Sequence, residues 1–169
     1  ANKVFVYQAI NTTLPSSSQK VQHTFTDSVV LIKDIMNDLS SGKPHAMQKI
    51  IANSEMIFNI IENAGDIVSY LNQVHEIDEY TYVHCIETAF YAMLIAKWMK
   101  LDNAQILKTI QAGLLHDIGK TKISTNLLNK QGVITKEEFE VIKKHTVFGY
   151  EMLNNLAGGI DPEVKEAVL

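Results

Sequence analysis

Arginine is absent. All fifteen basic residues are lysine, so phosphate recognition has no planar bidentate guanidinium to draw on and falls to lysine, backbone N–H groups or a metal. Cations are also not in excess. The formal charge is −4 and no basic run occurs, which argues against a polymeric nucleic-acid partner, since that requires a basic face. A single cysteine, Cys85, rules out an internal disulfide and fits a reducing, cytoplasmic setting. No run approaches the ~18 apolar residues of a membrane span, and no signal-peptide pattern is present. The chain opens on Ala rather than Met. The expectation is therefore a piece of a longer protein, with any upstream sensor or membrane segment left open.

What is present is apolar. Hydrophobic residues make up 46% of 169, enough for the core of one compact domain with an appendage. "KVFVYQAI" reads as a short extended piece from its β-branched and aromatic content, and "NTTLPSSSQ" as a linker. From Gln19 to Leu39, Val21, Phe25, Val29, Ile32, Met36 and Leu39 recur at steps of three and four, the period of an amphipathic helix. "SGKPH" breaks it, with Gly42 suited to a left-handed cap and Pro44 to a first helical turn. Met47, Ile50, Ile51, Ile57, Ile60 and Ile61 mark a second helix ending near Gly65. A third runs from Asp66 to His75.

Two stretches are apolar nearly all round: Thr81 to Ala96, and Ala104 to Ile118. Such helices belong in the middle of a domain. Thr135-Lys-Glu-Glu138 is a capping box and opens a helix running through Phe139, Ile142, Tyr150 and Leu153. Asp161-Pro162 starts the last one, carrying Val164 and Val168. The class is all-α, a bundle of about seven helices.

The polar residues on the central helices need a reason, because a buried charge is costly unless paired or bound to metal. His116 and Asp117 end one central helix. His84 sits near the start of the other. His145, one turn past Ile142, leans towards the buried side of the capped helix. Imidazoles and a carboxylate converging in a core suit a divalent metal, and two carboxylate oxygens can bridge two metals that clamp a phosphate ester. Lys120, one turn after His116, is placed to neutralise charge on a phosphoryl oxygen. Glu87, one turn after His84, could accept from its ring N–H.

Each of these residues also has a plain structural reading, and taken singly that reading is the better one. His116–Asp117 would be a C-terminal imidazolium with its partner, His84 a core histidine, and His145 a surface residue after Lys143 and Lys144. For Glu87 the two readings are about equal, the structural one being half of a core ion pair. Cys85 shares an apolar stripe with Tyr82, Ala89 and Met93, about 100° away from His84 on the helix, and reads as packing. His75, between acidic neighbours, reads as a solvated helix end, His23 and His45 have no partner at metal-ligand spacing, and Lys122 reads as a solvated bystander.

In combination, "YTYVHC", "GLLHDIGKTKIST" and "LLNKQGVITKEEFEVIKKHTVFGYEML" resemble the HD-GYP family, a branch of the HD-domain metal phosphohydrolases. The resemblance runs from about Ile77 to Leu169. It implies a helical HD fold and hydrolysis of cyclic di-GMP, in a bacterial second-messenger setting, by two or three divalent transition metals, iron or manganese. It also implies a small-molecule cyclic dinucleotide as partner, with a homodimer as one form of the active protein. By the same resemblance His84, His116, Asp117 and His145 are metal ligands. Asp117 is the bridge, and Lys120 contacts substrate and acts in catalysis. The glutamate of the three-metal branch would fall at Tyr80, so two metals are expected. Gln131 stands where proline is common. The family's His-His-Glu segment and Gly-Tyr-Pro signature come after the point matched by Leu169. These residues alone are therefore expected to bind at most one metal tightly and to hydrolyse cyclic di-GMP slowly or not at all. Residues 65–169 are read as the phosphohydrolase domain, and residues 1–64 as a regulatory, dimerising or packing segment. The alternatives are another HD phosphohydrolase acting on (p)ppGpp or a nucleotide, and an inactive signalling scaffold that keeps the helices.

Overall fold

The computed structural model describes residues 15–43, 45–72, 80–156 and 158–169. The extended reading of residues 3–10, Pro44 and the His75 end of the third helix lie outside them. Among the described residues there are nine α-helices, two 3-10 turns and no strand, as expected of an all-α chain. None of these helices is long and apolar enough to cross a membrane.

Helix α1 (Ser17–Ser40) begins where Ser16 accepts from the Gln19 amide and Gln19 reaches back to the Ser16 N–H. This capping box sits within the stretch read from sequence as a linker. All six of its expected apolar positions are buried. Gly42 takes φ +66° after the helix end, the left-handed conformation that glycine adopts at least cost.

Helix α2 (Ala46–Phe58) stops earlier than the expected Gly65. A 3-10 turn (Ile61–Asn63) then leads into α3 (Ala64–Leu71). The apolar period runs on through Ile60 and Ile61, but a 3-10 turn also buries residues three apart, so the pattern alone does not mark the break. The central pair are α4 (Tyr80–Trp98) and α5 (Asn103–Leu115).

Those two helices meet at Gly113. A Cβ there would lie 2.7 Å from the Ala89 Cα, so only glycine lets the backbones approach this closely. Helices α1 and α2 bury Phe25, Ile32, Ile50 and Ile57 in the same cluster as Ile86, Phe90, Met93 and Ile110 of α4 and α5. The Phe25 and Phe90 rings are 5.8 Å apart. Each such side chain contributes roughly 1.5–3 kcal/mol when fully buried. Lys108, on α5, lies 2.9 Å from Asp161 and 2.7 Å from Glu163, tying that helix to the start of α9 (Pro162–Val168).

Beyond α5 come a second 3-10 turn (Ile118–Lys122) and the single-turn α6 (Thr125–Leu128). The helix expected from Thr135 through Leu153 is two helices, α7 (Lys136–Lys143) and α8 (His145–Asn154). At Lys144 the ψ flattens to −9° and its N–H turns to the carbonyls of Ile142 and Val141, which interrupts the ladder. The Thr135–Glu138 capping box forms as expected.

Candidate metal centre

Asp117 is the hub of the site, with a side chain only 4% exposed. Helix α5 ends at Leu115, His116 caps it, and the chain tightens into the second 3-10 turn. In 3-10 geometry residues three apart eclipse each other. Asp117 and Lys120 therefore share a side, and the Lys120 ammonium donates to Asp117 Oδ2 at 2.6 Å. The His116 ring folds back over its own helix end, with Nδ1 2.9 Å from the Gly113 carbonyl. That contact leaves Nε2 facing inward, 3.4 Å from Asp117 Oδ2.

The break at Lys144 repeats the device. His145 opens α8, and its Nδ1 lies 2.8 Å from the Ile142 carbonyl, again three residues back. Its Nε2 then sits 3.4 Å from the other carboxylate oxygen, Asp117 Oδ1. An unbroken helix would commit the Ile142 carbonyl to the ladder. Two glycines let α8 come this close. A Cβ on Gly119 would lie 1.8 Å from the His145 carbonyl oxygen and 2.5 Å from the Gly149 nitrogen. A Cβ on Gly149 would lie 2.9 Å from Val168. The close glycine within the His-Asp turn is a sequence signal that motif reading passes over.

Helix α4 supplies the third imidazole. His84 Nε2 is 3.3 Å from His116 Nε2 and 3.9 Å from Asp117 Oδ2. The two rings meet edge to face, centroids 5.1 Å apart. Glu87 is half-buried one turn along. Cys85 is fully buried in the core cluster, its thiol against the Asp117 backbone. Burial, and then the nearby Asp117 charge, push its thiol up to about 12, which fits packing rather than ligation.

The charges are tuned by this crowding. Burial alone would raise the Asp117 carboxyl, but hydrogen bonds from His116 and Lys120 outweigh it and hold the group well below the usual carboxylate range. Burial and the neighbouring His116 keep the His84 imidazole below its ordinary value. For His116 burial works the same way, but the Asp117 contact and the Gly113 carbonyl prevail and raise it. To coordinate a metal, such a ring would have to give up its Nε2 proton.

The donor set fits a divalent metal. One atom each from His84, His116 and Asp117 lies within 4.8 Å of the others. Two nitrogens each about 2.1 Å from one ion are roughly 3.0–3.4 Å apart at common coordination angles, and the His84–His116 pair is at 3.3 Å. His145 stands on the opposite oxygen. All five residues expected at the site, His84, His116, Asp117, Lys120 and His145, thus meet around one carboxylate. His23 is exposed on α1, His45 precedes α2, and neither joins them. Lys122 lies 3.4 Å from the Ser40 carbonyl at the end of α1. A cavity of about 540 Å³ opens beside Asp117 and Lys120 and runs along α6 to Asn129.

Against known proteins, the HD domain family model matches residues 81–169. A cyclic di-GMP phosphodiesterase of Pseudomonas aeruginosa is 37% identical over 76 residues, covering 45% of this chain and 18% of that protein. A cyclic di-GMP phosphodiesterase of Thermotoga maritima is 27% identical over 135 residues, 80% of this chain and 34% of that one. A 3'3'-cGAMP-specific phosphodiesterase of Vibrio cholerae is 32% identical over 78 residues, 46% and 17%. The matched parts therefore span 17–34% of these relatives' length. No solved structure matches the chain significantly.

Proposed function

The chain belongs to the HD domain family, and on that premise we propose that it carries the metal-ligating part of a phosphodiesterase that opens cyclic di-GMP to the linear dinucleotide. The observation that supports this best is the Asp117 carboxylate, with imidazoles facing each of its two oxygens and the Lys120 ammonium beside one of them. His84, His116 and Asp117 would hold one divalent ion. Asp117 Oδ1 and His145 begin the position of a second, with iron or manganese as the candidates. When bound, such ions supply Lewis acidity towards the phosphate and activation of the attacking water.

This chain's own residues do the rest. The Gly113 and Ile142 carbonyls fix the His116 and His145 rings, so that their inward nitrogens are preorganised. Glu87 is the candidate acceptor for the outer ring nitrogen of His84. Lys120 places positive charge where a phosphoryl oxygen gains negative charge. A water oxygen bonds to phosphorus, the bond from phosphorus to one ribose oxygen breaks, and that oxygen leaves as a hydroxyl with one proton from the water. Helices α1 and α2 serve this unit as packing elements, since they share its core.

The likeness to a 3'3'-cGAMP-specific enzyme favours a second reading, in which the substrate carries one adenine. Both are tested on the manganese- or iron-loaded protein that contains these residues, by following the linear dinucleotide from each cyclic substrate. Opening of cyclic di-GMP that is lost in Asp117→Ala supports the first reading. Opening of 3'3'-cGAMP alone selects the second, and opening of neither overturns both.

A further inference from the structure

We propose that the cavity beside Asp117 and Lys120 is a purine pocket, and that Asn129 and Thr125 read the hydrogen-bonding edge of the base. The identity of the base rests on the phosphodiesterase reading; the pocket itself rests on its lining. Its volume, about 540 Å³, lies within the range of small-molecule sites. Its charges are confined to one end. Among the described residues, Lys120 and Asp117 are the only charged ones that line it. A phosphate is met at that end; beyond it Lys33 stands over the Tyr82 ring, 5.6 Å from its centroid, and does not itself line the cavity. There Met36, Tyr82, Ile123 and Leu128 supply apolar and aromatic wall, which suits the faces of a neutral planar ring.

The polar groups at the far end suit the edge of such a ring. Thr125 and Asn129 line the same cavity. They are four residues apart on the single turn of α6, and the Asn129 N–H donates to the Thr125 carbonyl at 2.9 Å. Residues at this spacing share a helix face. An amide side chain offers two donors and an acceptor, and a hydroxyl offers one donor and two lone pairs. Together they match the mixed donor and acceptor edge of guanine or adenine. The turn is also anchored. Lys130 lies 2.6 and 2.8 Å from the two Glu138 carboxylate oxygens, joining the end of α6 to the first turn of α7. The backbone that carries Thr125 and Asn129 is therefore tied to α7 before the ligand arrives, which reduces part of the ordering cost of binding.

The test compares GMP with ribose 5-phosphate, which keeps sugar and phosphate but lacks the base, by calorimetry on the manganese-loaded chain. GMP is expected to bind at least tenfold more tightly. Asn129→Leu, which keeps shape but removes hydrogen bonding, should lower the ratio of the two affinities by about tenfold, and Thr125→Val by about fivefold. Equal affinities in the parent chain, or an unchanged ratio in both variants, would overturn the pocket. If cyclic dinucleotides are not opened but the GMP preference and its loss in Asn129→Leu persist, the phosphodiesterase reading falls and the purine pocket stands.

Discussion

Replacing Gly119 by alanine should move His145 away from Asp117. The new Cβ would lie 1.8 Å from the His145 carbonyl oxygen and 2.8 Å from its carbon, with the Gly149 nitrogen at 2.5 Å. All three obstacles are backbone, so no side chain can rotate aside. To regain the 3.0 Å that real Cβ contacts respect, the second 3-10 turn and α8 must separate by about 1.2 Å. Overpacking of this kind costs roughly 1–3 kcal/mol. For a domain of this size that lowers the melting temperature by about 2–12 °C. The separation also carries His145 Nε2 away from its 3.4 Å position at Asp117 Oδ1. The His84–His116 pair, on α4 and the end of α5, stays in place. Gly119→Ala is therefore expected to keep the tighter metal and lose the weaker one. Metal analysis at increasing manganese, with thermal melting followed by circular dichroism, checks both effects. Gly65→Ala in α3 is the control, since its Cβ meets nothing within 4 Å. It should raise stability by about 0.5–1 kcal/mol, because alanine suits a helix better than glycine. A Gly119→Ala protein with unchanged melting and unchanged metal content would refute the argument.

Asp117→Ala removes the carboxylate that every other group at the site faces. It should abolish tight metal binding together with activity, and full metal content in the purified variant would exclude the bridging role. Lys120→Ala should retain metal while kcat falls roughly 10²–10³-fold with little change in KM, because its charge acts on the transition state. An unchanged kcat returns Lys120 to a structural role as the partner of Asp117. The Lys49 ammonium of α2, 2.6 Å away and assisted by Lys43, holds the Asp38 carboxyl of α1 below its ordinary value. A depressed carboxyl contributes stability that is present above the ordinary carboxylate pKa near 4 and lost as pH falls through the lower folded value. Acid unfolding of Asp38→Asn should therefore converge with that of the parent protein below about pH 4. A gap that stays constant from pH 7 to pH 2 would show that the pair contributes nothing through its charge.

Much of the fold is legible in the sequence because helix periodicity is a local property. The stripe from Val21 to Leu39 and the near-uniform apolarity of α4 and α5 each reflect burial, and burial leaves a mark on every turn. The failures fall where two structures bury the same positions. Ile60 and Ile61 continue the α2 pattern into a 3-10 turn, and Ile142 and Tyr150 continue the α7 pattern across the break at Lys144. Hydrophobic spacing records which residues face inward. It does not record whether the backbone hydrogen-bond ladder runs unbroken between them.

That same break is what brings His145 to the site. The residue types were readable, since three histidines, an aspartate and a lysine on apolar helices call for a shared partner. What sequence alone does not supply is why they converge, because the cause lies in residues with no chemistry of their own. Gly113 brings α4 and α5 together and so sets His84 beside His116. Gly119 and Gly149 bring the 3-10 turn against α8 and so set His145 opposite Lys120 across the Asp117 carboxylate. In both cases a glycine permits a backbone approach that a single methyl group would prevent. The backbone carbonyls of Gly113 and Ile142, at a helix end and a helix break, then orient the two rings. The candidate site is thus written in five polar residues, while its geometry is written in three glycines and one interruption of a helix.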